Sequence, residues 1–469
     1  MSKHLKLNLL PSILVILIFF IPLYPKFPLA SVQSSHVFIR LDDIVIALAI
    51  FSYLVYQFKN KFPVFKLKIT PLFIVYFLAI TLSTLHAILI FQTEPTHILL
   101  LHLFRRFQYT SLFFISLSAL KIEKKLNFVY LSFYLSTLAV CLYGYGQKYL
   151  HFPVISTMNY EFAKGQLLEM GNWVRINATF AGHYDLAAFL SAALIIIAGV
   201  SIINKNKFIK LTGLILYLIA FHNLTLTASR ISIFAFWGAV IFALLFLKKY
   251  LWIIPISALV IASFFTSKDL NQRLIATLYT AFPTKVPTSI PTPVPPPPPK
   301  ITPLPTKVIV KITPPPTPLP TVVRHQIEEV IPLDADAGVA RSGEIRFNAE
   351  WPRAITAYKK NPISGTGLGS ITLATDNDYL RLLGESGLIG FISFFAIIFY
   401  FFIKTIPAIK AKNKTKSQQL NIIFLGVFLV YLANAVFIDV FEASKTAYMF
   451  WIMAGIYYYN LNYKIKSQT

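Results

Sequence analysis

The sequence has almost no cysteine and little charge, and each shortage excludes a common class of protein. Cys141 is the only cysteine among 469 residues, which excludes an intramolecular disulfide and a metal site built on cysteines. Charged residues make up only 13% of the chain, whereas hydrophobic residues make up 56%. This balance lies far outside that of soluble domains. The composition therefore predicts an all-α polytopic membrane protein.

Acidic residues are scarce as well. The chain has 19 Asp and Glu against 43 Lys and Arg, which gives a net charge of +24. The lysines fall between long apolar stretches, as expected for cytoplasmic loops that contact anionic lipid headgroups. We therefore attribute the basic balance to membrane topology and expect a membrane partner but no nucleic acid.

Twelve apolar windows approach the roughly 20 residues that a membrane-spanning helix needs. They are residues 9–24, 43–58, 70–91, 98–120, 126–147, 184–203, 210–224, 231–247, 250–266, 387–403, 419–438 and 446–461. Lysines precede the first window and follow each even-numbered one, and such an excess marks the cytoplasmic side. The pattern predicts about 12 transmembrane helices in the cytoplasmic membrane, with both termini in the cytoplasm.

The windows divide the chain into three parts. Residues 1–266 contain transmembrane helices 1–9, residues 267–386 form one large extracytoplasmic loop between helices 9 and 10, and residues 387–469 contain helices 10–12. Within the loop, residues 283–320 hold 16 of the 29 prolines and no acidic residue, which predicts an extended polyproline II linker. This linker is either a spacer or a docking track for a cell-wall polymer or a partner. Residues 341–386 carry the most closely grouped ionisable side chains of the loop.

Three motifs follow one another along the chain. They are RINATFAGHYDLAAFL from Arg175, TLTASRISIF from Thr225, and NPISGTGLGS with DNDYLRLLGESGLIG between Asn361 and Gly390. Together they resemble the O-antigen ligase and O-antigen polymerase superfamily, membrane proteins that transfer glycans from polyprenyl-diphosphate carriers. The resemblance implies a glycosyltransferase that uses a lipid-diphosphate-linked glycan donor at the outer face of the membrane.

The resemblance also implies a catalytic set of Arg230, Arg346 and Asp376. A guanidinium stays charged and offers a planar fork of donors, so both arginines are suited to hold the diphosphate. Asp376 is the candidate base or acceptor anchor, and it occupies the position at which ligase members carry a histidine. No histidine occurs between Gln326 and Thr469. The aspartate favours the polymerase branch, and because no metal-ligand spacing is visible we expect neither a metal nor another cofactor.

A second set of residues is predicted to bind substrate. The set is Arg175, His183, Arg40, Arg105, Arg106, Arg353 and Tyr379. Structural alternatives are open for several members: Arg40 as an interfacial anchor at the mouth of helix 2, and Arg105 and Arg106 as side chains that snorkel to the membrane surface. His183 belongs either to a capped helix start or to the site. For Arg175 the choice lies in the same way between structure and ligand.

The spacing of Arg381 and Glu385 has a simpler interpretation. Residues four apart lie on the same side of a helix, so the two form an ordinary side-chain ion pair. Such a pair on a helix surface contributes only about 0.2–0.5 kcal/mol.

Three functions fit these features. The first is an O-antigen or exopolysaccharide polymerase that joins polyprenyl-diphosphate-linked repeat units, and the second is a ligase or protein O-oligosaccharyltransferase with the same donor. The third is a transporter or flippase of lipid-linked sugars, in which ionisable residues usually lie at mid-membrane depth. Here the grouped charges lie at the outer ends of helices and in one large outer loop, which favours an enzyme that acts at the outer surface. Its expected partners are the lipid-linked glycan, an acceptor glycan or lipid, and a chain-length regulator or flippase.

Overall fold

The computed structural model describes residues 9–25, 27–31, 38–124, 126–153, 155–156, 168–169, 175–267, 270–272, 274–275, 345–371 and 374–463. Most of these residues are helical. In chain order the main helices are α1 (Leu9–Leu23), α2 (Leu41–Lys59), α3 (Thr70–His86), α4 (Thr96–Glu123), α5 (Asn127–Tyr149), α6 (His183–Ile203), α7 (Lys207–Leu226), α8 (Arg230–Phe246), α9 (Ile253–Thr266), α10 (Trp351–Lys360), α11 (Asp378–Lys410), α12 (Lys416–Asn434) and α13 (Ser444–Asn462).

Seven helices in the described part of the chain are long and apolar enough to cross a membrane. They are α2, α3 with the π-turn that extends it to Phe91, α5, α6, α7, α11 and α12. Leu9–Leu23, Arg230–Phe246 and Tyr250–Thr266 are apolar but shorter. The predicted all-α membrane class is confirmed, and each of the twelve windows overlaps a helix. The exact number of spans stays a prediction.

Two short antiparallel strand pairs accompany the helices, and the sequence pattern does not predict them. Pro28–Ser31 (β1) pairs with Phe38–Arg40 (β2) after α1, and Ile155–Ser156 (β3) pairs with Leu168–Glu169 (β4) after α5. Strands of two to four residues are too short to produce a detectable alternation of apolar and polar side chains.

Two helices in the core of the bundle, α4 and α13, are not among the seven helices that are long and apolar enough to cross a membrane. α13 packs along α4, and every residue from Ser444 to Asn460 is buried. Even Lys445 is 2% exposed, with its ammonium donating to the carbonyls of Pro22 (3.1 Å) and Thr179 (2.8 Å) and lying 4.7 Å from the ring centre of Phe180. Polar side chains are tolerated here because protein, not lipid, surrounds them.

The orientation of the bundle is tested by labelling single cysteines with a membrane-impermeant maleimide. The native Cys141 is buried in α5, and Cys141→Ala provides the background. We expect Lys300→Cys to react from outside the cell and Lys412→Cys to react only after the membrane is opened. Labelling of both positions from the same side would contradict the predicted topology. Lys300, the Pro-rich segment and most of the predicted outer loop lie outside the described residues.

Candidate active site

A glycine-rich turn docks directly on a kink in α11. Gly387 interrupts that helix with φ 63° and ψ −170°, so the helix consists of a short first part and a longer second part. The Gly367 N–H donates to the Glu385 carbonyl at 2.9 Å. A Cβ on Gly365 would lie 2.3 Å from the Glu385 carbonyl oxygen, and one on Gly387 would lie 2.3 Å from that of Ile363. Glycine is required at both positions because two backbones touch.

The turn before α11 holds Asp376 in an unusual backbone conformation. Its φ of 48° lies in the left-handed region, which aspartate tolerates better than most residues but still at a cost of about 1–3 kcal/mol. The carboxylate of Asp439, between α12 and α13, accepts the N–H groups of Thr375 (3.0 Å) and Asn377 (3.1 Å). Asn377 then caps α11 by accepting the Leu380 N–H. Asp439 therefore fixes the turn from both sides of Asp376.

Arg346 and Asp376 form a direct ion pair. The Nε and Nη2 atoms of Arg346 both donate to Oδ2 of Asp376, at 3.0 and 2.8 Å. Arg346 begins a π-turn that leads into α10, and its side chain is 10% exposed, against 31% for Asp376. Burial raises the pKa of Asp376 above its ordinary value, although the neighbouring Arg346 lowers it. These two predicted catalytic residues are thus in contact.

Three arginines surround Tyr184 at the start of α6. Tyr184 interacts electrostatically with Arg175 and Arg346, and the guanidinium of Arg346 lies 5.8 Å from the centre of the Tyr184 ring. Arg175 Nη1 also lies 2.5 Å from Nε2 of His183. Arg230, the first residue of α8, is within electrostatic range of Tyr184 and of the other two arginines. We call Arg175, Arg230 and Arg346 the arginine cluster.

The arginine cluster has the chemistry of an anion site. Three fixed positive charges are close together, and the acidic groups near them include Asp376 and Glu350. Like charges at this distance repel one another, so a bound anion would lower the free energy of the cluster. Planar guanidinium groups also match the oxygen geometry of a phosphate.

Glu350 and Arg353 lie beside this cluster, on the π-turn and in α10. Glu350 is 7% exposed, and burial together with the charges of Asp376 and Asp439 raises its pKa to about 7. The Oε2 atom of Glu350 and Nη1 of Arg353 are buried without a hydrogen-bond partner among the described residues. Arg353 was predicted as a substrate-binding residue, whereas Glu350 was not predicted. Its position four residues after Arg346 was the available signal.

A second group of charges is buried between α4, α11 and the segment that joins α12 to α13. Arg106 contacts Glu442 in an ion pair, lies 3.9 Å from Glu385, and donates to the Phe441 carbonyl at 3.0 Å. The same group continues from Glu385 to Arg381, whose Nε lies 3.2 Å from Glu385 Oε1.

This buried network corrects the simple interpretation of Arg381 and Glu385. Both residues are almost fully buried, and Arg381 also contacts Asp439 through Nη1 at 3.1 Å. A surface pair worth a few tenths of a kcal/mol is therefore the wrong description, because neither charge can return to water without unfolding the segment. Through Asp439, the network supports the Asp376 turn.

The other predicted substrate residues lie apart from the arginine cluster. Arg40 precedes α2, where its N–H donates to Asp43 at 3.0 Å, and Arg105 lies 4.0 Å from the same carboxylate. The hydroxyl of Tyr379 donates to the Leu432 carbonyl at 2.8 Å, and its ring stacks on Phe395. Arg40 and Arg105 thus form a separate group with Asp43, and Tyr379 is bonded to α12.

The family comparison agrees with this geometry. Residues 213–395 match the model of the O-antigen ligase family. Over these residues the chain is similar to an O-antigen ligase domain. The predicted resemblance to the O-antigen ligase and polymerase superfamily is thereby confirmed, although no curated protein matches the sequence.

The region that is similar to the O-antigen ligase domain contains part of the site. Arg230, Arg346 and Asp376 lie inside the matched residues, whereas Arg175 precedes them and Asp439 follows them. The site therefore depends on segments from both sides of the domain. Among the residues that the structure describes, no group of three or more His, Cys, Asp or Glu side chains is arranged to hold a metal.

Proposed function

We propose that this protein is a polymerase that joins polyprenyl-diphosphate-linked oligosaccharide repeat units at the outer face of the cytoplasmic membrane. The observation that carries the proposal is the arginine cluster around Tyr184, with Arg346 paired to Asp376. The O-antigen ligase domain supports a glycan-transfer enzyme of the ligase and polymerase superfamily. The choice of polymerase rests on Asp376, where ligase members carry a histidine.

In the proposed reaction, an acceptor hydroxyl attacks the anomeric carbon of the donor glycan. A new C–O bond forms, the bond to the diphosphate breaks, and the polyprenyl diphosphate leaves with the electron pair. Negative charge develops on the leaving oxygen, and Arg175, Arg230 and Arg346 are placed to stabilise it. Because the three charges are already close together before the reaction, little reorganisation is needed when the charge on the leaving oxygen appears.

Asp376 has a positioning role in this scheme. Its Oδ2 receives two N–H groups from Arg346, so the carboxylate fixes the direction of the guanidinium. The left-handed backbone conformation of Asp376 and the two hydrogen bonds from the flanking N–H groups to Asp439 hold this carboxylate in place. In this proposal the other carboxylate oxygen anchors the acceptor. Arg106, by contrast, is assigned to the buried network and not to substrate, because its guanidinium is already paired.

The ligase and transporter alternatives predict different products from the same assay. The purified protein is placed in nanodiscs with the lipid-linked repeat unit isolated from the native strain, in buffer that contains EDTA. We expect a ladder of lipid-linked oligomers, with one polyprenyl diphosphate released for each bond formed. Transfer only to a separate lipid or protein acceptor would identify a ligase. If no new glycosidic bond forms, both the polymerase and the ligase proposals are contradicted. If activity is lost only when EDTA is present, the predicted metal independence is contradicted.

A further inference from the structure

The π-turn before α10 presents two ionisable side chains on one face. In Arg346–Glu350, the first and last residues are buried, whereas Phe347, Asn348 and Ala349 between them are exposed. A π-turn has more residues per turn than an α-helix, so positions four apart come to nearly the same side. Such turns occur often at functional sites. Glu350 thus faces the same region as the Arg346 guanidinium.

One oxygen of the Glu350 carboxylate, Oε2, is buried without a hydrogen-bond partner among the described residues. Burial of an unpaired carboxylate is costly, and a site usually retains such a group because a ligand or a reaction uses it. The charged groups that act on it are Asp376 and Asp439, which are negative, and Arg346 and Arg353, which are positive.

The side chains next to Glu350 suit a sugar acceptor. The rings of Phe347 and Trp351 are in edge contact, with centres 4.8 Å apart, and Phe347 is 56% exposed. The indole N–H of Trp351 and the hydroxyl of Thr375 are both buried without a partner among the described residues. Apolar rings combined with free polar groups form a surface that can hold a carbohydrate and fix its hydroxyls.

We propose that Glu350 is the general base that removes the proton from the acceptor hydroxyl. This inference rests on the proposed glycosyl transfer. As the hydroxyl oxygen bonds to the anomeric carbon, its proton passes to the Glu350 carboxylate, and the electron pair of the broken bond leaves on the diphosphate. Asp376 is less suited to this role because two N–H groups of Arg346 occupy one of its oxygens.

The charges around Glu350 predict the pH dependence of the reaction. Its pKa of about 7 means that the base is ionised above neutrality and protonated below it. The kcat of the wild type should therefore rise with pH through about 7 and then level off. Removal of the Asp376 charge in Asp376→Asn should shift this rise to lower pH. Removal of the Arg353 charge in Arg353→Gln should shift it to higher pH.

The test compares Glu350→Gln with the matched control Glu94→Gln, which lies in the turn before α4. We expect Glu350→Gln to lose about 10²-fold or more of kcat and the pH-dependent rise, with unchanged affinity for polyprenyl diphosphate. The control should behave as the wild type. Wild-type kcat and pH profile in Glu350→Gln would overturn the inference.

Further results distinguish failure of the role of Glu350 from misfolding of the variant and from failure of the proposed function. If Glu350→Gln does not accumulate in membranes, the pH profile of Arg353→Gln decides, and an unshifted rise overturns the role of Glu350. If the wild type forms no glycosidic bond with its own donor, the proposed function fails. If the wild type is active and only the Glu350 results disagree, the function stands and the base is another group.

Discussion

Replacement of Arg230 by lysine should reduce kcat/KM by about 10²-fold, although the positive charge is kept. Arg230 begins α8 and lies within electrostatic range of Arg175 and Arg346. A lysine ammonium is a single point charge on a flexible chain and cannot bind two phosphate oxygens with a planar fork. The measurement is the rate of oligomer formation with saturating acceptor and variable donor.

The control for this variant is the reverse exchange, Lys249→Arg, in the turn that follows the same helix. It tests whether α8 tolerates a change of basic side chain, and we expect wild-type activity. Both variants should accumulate in membranes and unfold at the wild-type temperature. An Arg230→Lys protein with more than half of the wild-type kcat/KM would remove Arg230 from the diphosphate site.

The second large effect concerns stability. Arg106→Met should lower the free energy of unfolding by about 3–5 kcal/mol, because it leaves the buried Glu385 and Glu442 without one of their cations. The double variant Arg106→Met, Glu442→Gln should recover part of this loss, since it removes opposite charges together. Thermal unfolding of the protein in detergent and its amount in membranes measure the change.

Lys121→Met is the matched control on the same helix. Lys121 lies in the last turn of α4, where its ammonium contacts the ring of Tyr463 at 4.9 Å. Loss of such a cation–π contact costs about 0.5–1 kcal/mol. If Arg106→Met and Lys121→Met lower the free energy of unfolding by the same amount, the buried network contributes no more to stability than a surface contact does.

Local sequence features predicted most of the helices and part of the site. The apolar windows predicted the helices because hydropathy is a local property of each stretch of sequence. The family resemblance brought Arg346 and Asp376 into one set, which the structure joins by an ion pair. His183 was correctly placed at a helix start, since α6 begins at this residue.

The remaining features depend on contacts between distant segments. Asp439 accepts backbone N–H groups on both sides of Asp376 although it lies more than 60 residues away in the chain. The local sequence around either residue does not predict this contact. The burial of Arg381 and Glu385 depends on α4 and the segment after α12, so the local i,i+4 pattern indicated the pair but not its environment. The spacing of Glu350 from Arg346 places the two on one side of a helix, but it does not report that a carboxylate oxygen of Glu350 is buried without a partner.

The central claim is that the arginine cluster binds the diphosphate of the donor. Its most direct test is the affinity of purified protein in nanodiscs for polyprenyl diphosphate, measured beside polyprenyl monophosphate. We predict at least about 10-fold tighter binding of the diphosphate, equal to about 1.4 kcal/mol, and a loss of this preference in Arg175→Gln, Arg230→Lys and Arg346→Lys. Undiminished diphosphate affinity in all three variants would contradict the account.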